Sequence, residues 1–507
     1  MKPIEHFLRS AKRYPHKIAL RGPEGSLSYS ELAREVKACA AAFQALVPDE
    51  RGRIAILARN DFAHVVALLG IMLAGRVWVP LNYRSGDAEL KRAVDFVEPA
   101  LIITEEDFRF KLPKSTQPIL TCSHGKYGQG TCELTRTIKS FARHAPIPVN
   151  HPLSETQAIK FTGGTTGAPK GVMQSYRSWN AGIVSFLAAM GLDEQERFLA
   201  VASISHGTST FLLPVFSRGG TVVFPSSTQP RELLEILEHE RITATFMPPT
   251  LVYSLLEDPT VRQRDWSSLR HFIYAAAPMR EEQITEAQQV FGPMETTYGQ
   301  TECPAIISYL TADEARDAST RNSVGRPALM TDVAILDSSG NPVAQGNWGE
   351  IAVRGDLVMS GYWKQPEKTS QAFKKGWLLT GDGGYMDERG YIFLKDRIKD
   401  MIITGGFNVY PTDVEEALGS HPSVFDCSVI GIEDAKWGEA VHAAVQLRAG
   451  QQATERDLID WVRQRLDGVK TPKRIHLLKN LPRTANSKIA KKDIRKEIEK
   501  RLTESKS

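Results

Sequence analysis

Residues 53 to 105 alternate short, β-branched apolar runs with longer stretches of amphipathic spacing: RIAILARN, FAHVVALLGIMLAG, VWVPLN, LKRAVDFVEPA and LIITEE. The same rhythm returns in TATFMPPT, LVYSLLEDP, LRHFIYAAAP and REEQITEAQQVF. The short runs predict strands and the longer stretches predict helices, an alternation that gives α/β layers with helices covering largely parallel sheets. FAHVVALLGIMLAG is too short to span a bilayer and contains a histidine, so it is expected as a buried helix.

From about residue 340 to about residue 400 the texture changes. Strand-like IAVRG and YIFLKD are separated by glycine and proline turns, GYWKQP, TGDGG and DERG, which predicts a β-rich subdomain. After Asp400 come MIITGGFNVYP, a helix in TDVEEALGS, a strand in FDCSVIGI, and a further strand and helices. A compact α+β unit of about one hundred residues is expected there. No long low-complexity linker or internal repeat interrupts the chain.

At 507 residues, with 42% hydrophobic and 24% charged positions, the composition is that of an ordinary globular protein. The length allows roughly three average domains, or one large and one small. A net charge of +4 spread along the chain makes no case for nucleic acid. The basic excess in KTPKRIHLLKNLPRTANSKIAKKDIRKEIEKR reads as a solvated, partly helical tail. Cys39, Cys122, Cys132, Cys303 and Cys427 are odd in number and form no C-x-x-C pair, which supports neither a disulfide framework nor a zinc site. A reducing cytoplasm is therefore expected. MKPIEHFLRSAKRYPHK has charges throughout and no apolar core, so it is not a secretory signal.

The first candidate chemistry is FTGGTTGAPKG, residues 161 to 171. The nearest general template, G-x-x-x-x-G-K-[ST], cradles phosphates on backbone N–H groups and binds magnesium through the final hydroxyl. Aligning the lysines puts Pro169 at the second glycine and Gly171 at the hydroxyl, so that template fails twice. What remains is a loop of backbone and hydroxyl donors ending in Lys170, able to wrap a phosphate chain or to serve as a plain surface turn.

Three further segments carry unusual chemistry. In TTYGQTECP, Tyr298 offers a flat face for a base, Thr301 a hydroxyl donor and Glu302 a hard carboxylate of the kind magnesium prefers. In WLLTGDGGYMDERGYIFLKDRIKDMIITGGFNVYP, Asp382 in a Thr-Gly-Asp turn could accept both hydroxyls of a ribose, with Arg397 a second candidate for the same sugar. In LPRTANSKIAKKDIR, Lys488 follows a loop and could deliver a point charge to a carboxylate or phosphate. Each segment taken alone also reads as an exposed turn.

Taken in order, with SISHG and YAAAP between them, these four segments resemble the acyl-adenylate-forming superfamily: acyl-CoA synthetases, nonribosomal peptide adenylation domains and firefly-type luciferases. The resemblance covers nearly the whole chain. It implies a large N-terminal domain, residues 1–398, of layered α/β subdomains plus a β-rich subdomain. A small, mobile α+β C-terminal domain, residues 399–507, would follow a hinge at Lys399. It also implies two steps: a carboxylate and ATP give an acyl-adenylate and pyrophosphate, then a thiol displaces AMP. ATP, Mg2+ and coenzyme A are the expected cofactor and substrates.

Carried over by position, Thr162, Gly163, Gly164, Thr165, Thr166, Gly167 and Lys170 would grip the phosphates, with Thr301 near the α-phosphate and Glu302 holding the metal. Ala276, Ala277 and Tyr298 would form the adenine slot, Gly299 would also bind the nucleotide, and Asp382 and Arg397 would take the ribose. Lys488 would bridge the substrate carboxylate and the α-phosphate. Gly405 and Gly406 would line the channel for the pantetheine thiol. Three positions depart from the common pattern: Gly163 in place of serine, Ser487 in place of glycine, and Asp396 in place of glycine. None removes a charged group that the chemistry requires.

His206 in SISHG corresponds to the position bordering the acyl site. Met247, Pro248, Val252, Tyr253, Cys303, Pro304, Ile306 and Ile307 are mostly apolar; they line the pocket or belong to the core. If they line it, the acid has an apolar body, as in a fatty, alicyclic or aromatic acid, and the lack of an arginine argues against a dicarboxylate such as malonate. The leading expectation is a carboxylate:CoA ligase acting as a cytoplasmic monomer or homodimer, without nucleic acid or a transmembrane segment. The alternative is an adenylating enzyme that loads a separate carrier protein. A nucleotide-binding sensor without catalysis is disfavoured by Glu302, Asp382, Arg397 and Lys488.

Overall fold

Phe62–Leu73, the apolar stretch expected as a buried helix, is one, with nearly every side chain out of water. Asp61 starts it by accepting the N–H of His64, supplying one of the bonds that a helix's first turn lacks. It packs on the helix Tyr29–Leu46, which opens with a reciprocal Ser28–Glu31 capping box. The approach is close: a side chain at Gly70 would meet Cys39 Sγ at 2.7 Å. Burying both helices removes apolar surface from water at about 25 cal/mol per Å², which is what holds these layers together.

The computed structural model describes residues 1–113, 117–122, 124, 127, 132–162, 169–304, 306–484 and 488–504. It folds as two compact units. The first comprises residues 1–277, 285–333 and 353–378; the second comprises residues 278–284, 334–352 and 379–507. The mixed α/β class expected from the hydrophobic pattern is the one observed.

The first unit contains two large sheets. In the seven-stranded sheet, Arg53–Leu57 lies between Val77–Leu81 and Leu101–Glu105, and all three run parallel. Thr156–Phe161 adds in parallel beside Val77–Leu81. Gly171–Ser175 and then Gly361–Tyr362 follow, both antiparallel to their neighbours. In the nine-stranded sheet, Arg197–Leu199, Ala244–Met247, His271–Tyr274 and Met294–Tyr298 are consecutive parallel neighbours. Their register brings the C-terminal ends of the last three together: Met247 opposes Tyr274, and Tyr274 opposes Thr296.

The β-rich segment forms a five-stranded sheet that includes Gly349–Arg354, Trp377–Met386 and Ile392–Arg397. In the second unit, Val424–Asp434 and Gly438–Leu447 form a long antiparallel pair covered by Pro411–Gly419 and Glu455–Arg463. Their inward faces are valine-rich: Val414, Val424, Val429, Val441, Val445 and Val462 are all fully buried. In the same unit Arg280 donates to the carbonyls of Gly419 at 2.7 Å and Phe425 at 2.9 Å. Among the described residues no helix is long and apolar enough to cross a membrane.

Candidate active site

The phosphate-loop candidate is the connection of an antiparallel strand pair. Phe161 opposes Gly171, and Thr162 N–H donates to the Lys170 carbonyl at 3.3 Å, which closes the base of the loop. Gly163, Gly164, Thr165, Thr166 and Gly167 lie outside the described residues. The Lys170 ammonium lies 5.2 Å over the ring of Tyr362. The edge strand Gly361–Tyr362 pairs with Gly171–Ser175, and Tyr362 opposes Val172, so the sheet itself carries this ring to the lysine.

Tyr362 Oη donates to Glu302 Oε1 at 2.9 Å. Burial, with the Glu302 carboxylate beside it, pushes the phenol's pKa up and keeps it a donor. Gln174 Nε2 donates to the Thr301 carbonyl at 2.8 Å, and Gln365 Nε2 donates to the Pro169 carbonyl at 3.1 Å. Lys170 and the Thr301–Glu302 pair, predicted in two separate motifs, are thus joined through Tyr362, Gln174 and Gln365, which the sequence did not single out. The only signal for Tyr362 was the aromatic residue in the GYWKQP turn.

Thr301 and Glu302 occupy a turn closed by mutual bonds between the backbones of Gln300 and Cys303. That turn follows Met294–Tyr298, as Ala275 to Ala277 follow His271–Tyr274 and Pro248 follows Ala244–Met247. Ligands of open parallel sheets bind beyond such strand ends. Ala276 is held at φ +76°, a left-handed conformation that costs a non-glycine residue of the order of 1 kcal/mol and recurs at functional sites. Ala276, Ala277 and Gly299 are exposed, whereas Tyr298 is buried.

His206 sits in a π-helical turn, Ile204–Thr208, where Thr208 N–H reaches back to the Ser203 carbonyl. Single turns of this type often mark functional segments. Its Nε2 lies 3.4 Å from Asn82 Nδ2. Met247, Val252, Cys303, Ile306 and Ile307 are fully buried, and Tyr253 nearly so. A narrow cavity between the helices Tyr176–Met190 and Ser209–Arg218 is lined by Gln174, Trp179, Gly182, Phe186, Thr210 and Pro304.

In the second unit Asp382 and Arg397 are a cross-strand pair, with Arg397 Nε 3.0 Å from Asp382 Oδ1. The Thr-Gly-Asp turn is held by Thr380 Oγ1, which donates to the Ile351 carbonyl, and by Glu350, which accepts the Gly381 N–H. Lys399 is exposed in the short helix Ile398–Asp400. Asp396 caps the next helix: its carboxylate accepts the Thr412 N–H at 2.8 Å, where the helix-starting Tyr410 has no capping side chain. Burial raises the Asp396 pKa to about 6, against the opposing pull of Lys491 and Thr412.

Gly405 and Gly406 turn at φ +57° and +83°. Gly405 N–H donates to the Trp437 carbonyl, and a Cβ at Gly405 would meet the indole at 3.0 Å. Lys488 is exposed, and its carbonyl accepts the Thr484 N–H at 2.7 Å. Ser487 lies outside the described residues.

The model of the AMP-binding enzyme family matches residues 7–363, and that of the AMP-binding enzyme C-terminal domain matches residues 413–488. A medium/long-chain-fatty-acid–CoA ligase, FadD8, of Mycobacterium tuberculosis is 40% identical over 370 residues, 70% of this chain and 64% of that protein. A feruloyl-CoA synthase of Amycolatopsis is 34% identical over 492 residues, 96% of this chain and 97% of that protein. Among solved structures, the amide bond synthetase McbA of Marinactinospora thermotolerans superposes with a TM-score of 0.87 at 29% identity, covering 98% of this chain and 99% of that one. With the family's larger model matched across most of the chain and its C-terminal model behind it, this protein belongs to the AMP-binding enzyme family, within the acyl-adenylate-forming superfamily.

Proposed function

We propose that this chain is an ATP-dependent carboxylate:CoA ligase. In the first step a carboxylate oxygen attacks the α-phosphorus of ATP, forming an acyl-adenylate and expelling pyrophosphate. In the second, the sulfur of CoA attacks the acyl carbon, forming a thioester and expelling AMP. The observation that carries this reading is the linkage of Lys170, Tyr362 and Glu302 beside Thr301. It groups the cation of a phosphate loop, a hydroxyl donor and a hard carboxylate, and the first step needs these because one anion approaches another.

Magnesium is commonly bound through one or two carboxylates plus substrate phosphates, keeping several waters. Glu302 fits that requirement, and among the described residues no group of three or more His, Cys, Asp or Glu could hold a metal unaided. Glu302 would hold the ion, which supplies neutralisation of phosphate charge. Lys170, with the loop from Thr162 to Gly167, would hold the departing diphosphate, and Lys488 would supply charge between the acid and the α-phosphate. Asp382 would accept the ribose hydroxyls, with Arg397 orienting its carboxylate. We place the domain boundary near Lys399 and the pantetheine channel at Gly405 and Gly406.

The acid has an apolar body. His206, Met247, Val252, Tyr253, Cys303 and Pro304 would border it, and the fatty-acid and feruloyl ligases among the relatives support that chemistry. The test is pyrophosphate release with ATP and Mg2+ across fatty, alicyclic, benzoic, cinnamic and dicarboxylic acids, with and without CoA. Release accelerated by CoA, with the thioester found by mass, is the expected result for an apolar acid. Release indifferent to CoA would point to a carrier-protein acceptor, turnover of dicarboxylates alone would overturn the pocket, and no release with any acid would overturn the ligase.

A further inference from the structure

Lys160 lies on the strand that leads into the phosphate loop, yet it is 4% exposed and points into the interior. Its Nζ lies 5.0 Å from the ring centre of Trp78 and 5.3 Å from that of Trp179, between two indoles packed at 71°. The amine donates to Ser209 Oγ at 2.8 Å. Ser209 Oγ in turn donates to the carbonyl of His206 at 2.8 Å. One side chain therefore joins the loop-bearing strand, the indole that walls the cavity beside Pro304, and the π-helical turn that carries His206.

A methionine would fill the same slot without taking an amine out of water, which is costly for a group with no carboxylate to pair with among the described residues. The amine is therefore a poor choice for packing alone. We propose that Lys160 is a positioning residue for the acid-binding end of the site: through Ser209 it fixes the backbone of His206, and against Trp179 it fixes one wall of the cavity. This rests on the ligase reading only in taking His206 and Pro304 to border the acid.

Burial alone lowers the Lys160 pKa, to about 7. The groups that face the amine, Trp78, Trp179 and Ser209, carry no charge, and the first titratable side chain along the bonded chain is His206. The ammonium form binds the two π-faces and holds the wall; the neutral amine keeps only the serine bond. Acid binding is therefore strongest below the amine's pKa and weakens as pH rises through about 7.

The experiment compares the wild type with Lys160→Met and Ser209→Ala. Lys160→Met is expected to raise the KM for the acid about tenfold while leaving the KM for ATP within about twofold. It should also remove the ionisation near pH 7 from acid kcat/KM. Ser209→Ala should reproduce the split between the two KM values, which keeps the test open if the methionine variant does not fold. An unchanged acid KM with the ionisation retained would overturn the proposal.

A second readout needs no turnover. The difference in tryptophan emission between the wild type and Lys160→Met should titrate with a midpoint near 7. If no acid supports pyrophosphate release, the ligase reading fails, and this titration still decides whether the Lys160 ammonium holds the two indoles. A flat difference would leave it a core residue and nothing more.

Discussion

Tyr362 donates its phenolic hydrogen to Glu302 while Lys170 lies over the face of the same ring. The tyrosine is thus wedged between the loop's cation and the candidate metal carboxylate, and its two contacts can be separated by substitution. Tyr362→Phe keeps the ring and loses the hydrogen bond; it is expected to lower kcat/KM for pyrophosphate release about tenfold and to raise the Mg2+ requirement. Tyr362→Ala loses both contacts and should fall by about a hundredfold. A phenylalanine variant with normal activity at every Mg2+ concentration would show that the bond does not set the carboxylate.

Glu302→Gln preserves shape and removes one negative charge. Pyrophosphate release should fall by about 10²–10³, the loss typical of one strong electrostatic contact to a transition state. Excess Mg2+ should recover part of it. Titrating Mg2+ in both proteins checks this, and a parallel fall at all concentrations would place the effect elsewhere.

Lys488→Ala should separate the two half-reactions. Adenylation is expected to fall by about 10²–10³, whereas CoA attack on a presynthesised acyl-adenylate should stay within about twofold. Gly405→Val should do the reverse, because its left-handed φ and the nearby indole leave no room for a branched side chain. Single-turnover measurements of each half-reaction distinguish the two variants.

The Asp396 carboxyl has a folded pKa raised to about 6 from 3.8. Folding therefore favours its protonated form. The stability that this group contributes is complete below about pH 4 and is lost as pH rises through about 6. Asp396→Asn lacks that titration, so its Tm relative to the wild type should climb by a few degrees between those limits. Melting curves at several pH values check it, and a constant difference would show that the carboxylate is not strained by burial.

Lys160 has the opposite sign. Its pKa is depressed from 10.5 to about 7, so the ammonium's cost is full below pH 7 and vanishes above the unfolded value. Lys160→Met should melt several degrees above the wild type near neutrality, with the gain shrinking as the buffer becomes alkaline. A protein that loses acid affinity while gaining stability would be trading one for the other.

The layers were legible because their apolar runs have the right length and spacing: RIAIL and VWVPL could hardly be anything but strands beside the helix Phe62–Leu73. The candidate residues could be named because motifs keep chemistry-bearing groups close together in sequence. What could not be read was contact across the chain. Tyr362 reaches Glu302 from 60 residues away because an edge strand happens to close the sheet there. Lys160 carried no signal at all, since nothing in QAIKF says that two tryptophans and a serine will surround it. Nor did the spacing of Asp396 announce that it would cap a helix starting at Pro411.

The bonds of Arg280 also impose an order on how this protein can be made. Its acceptors, the carbonyls of Gly419 and Phe425, leave the ribosome 139 and 145 residues later. At a synthesis rate of about 5–20 residues per second, roughly 7–30 s pass before these two bonds can form. The earlier segment of the second unit must wait that long for these two acceptors, while the sheets on either side of it in sequence are already being laid down. Any slowing of translation between codons 280 and 419 lengthens that wait, and silent changes in that stretch should therefore alter the yield of folded enzyme without altering a single side chain.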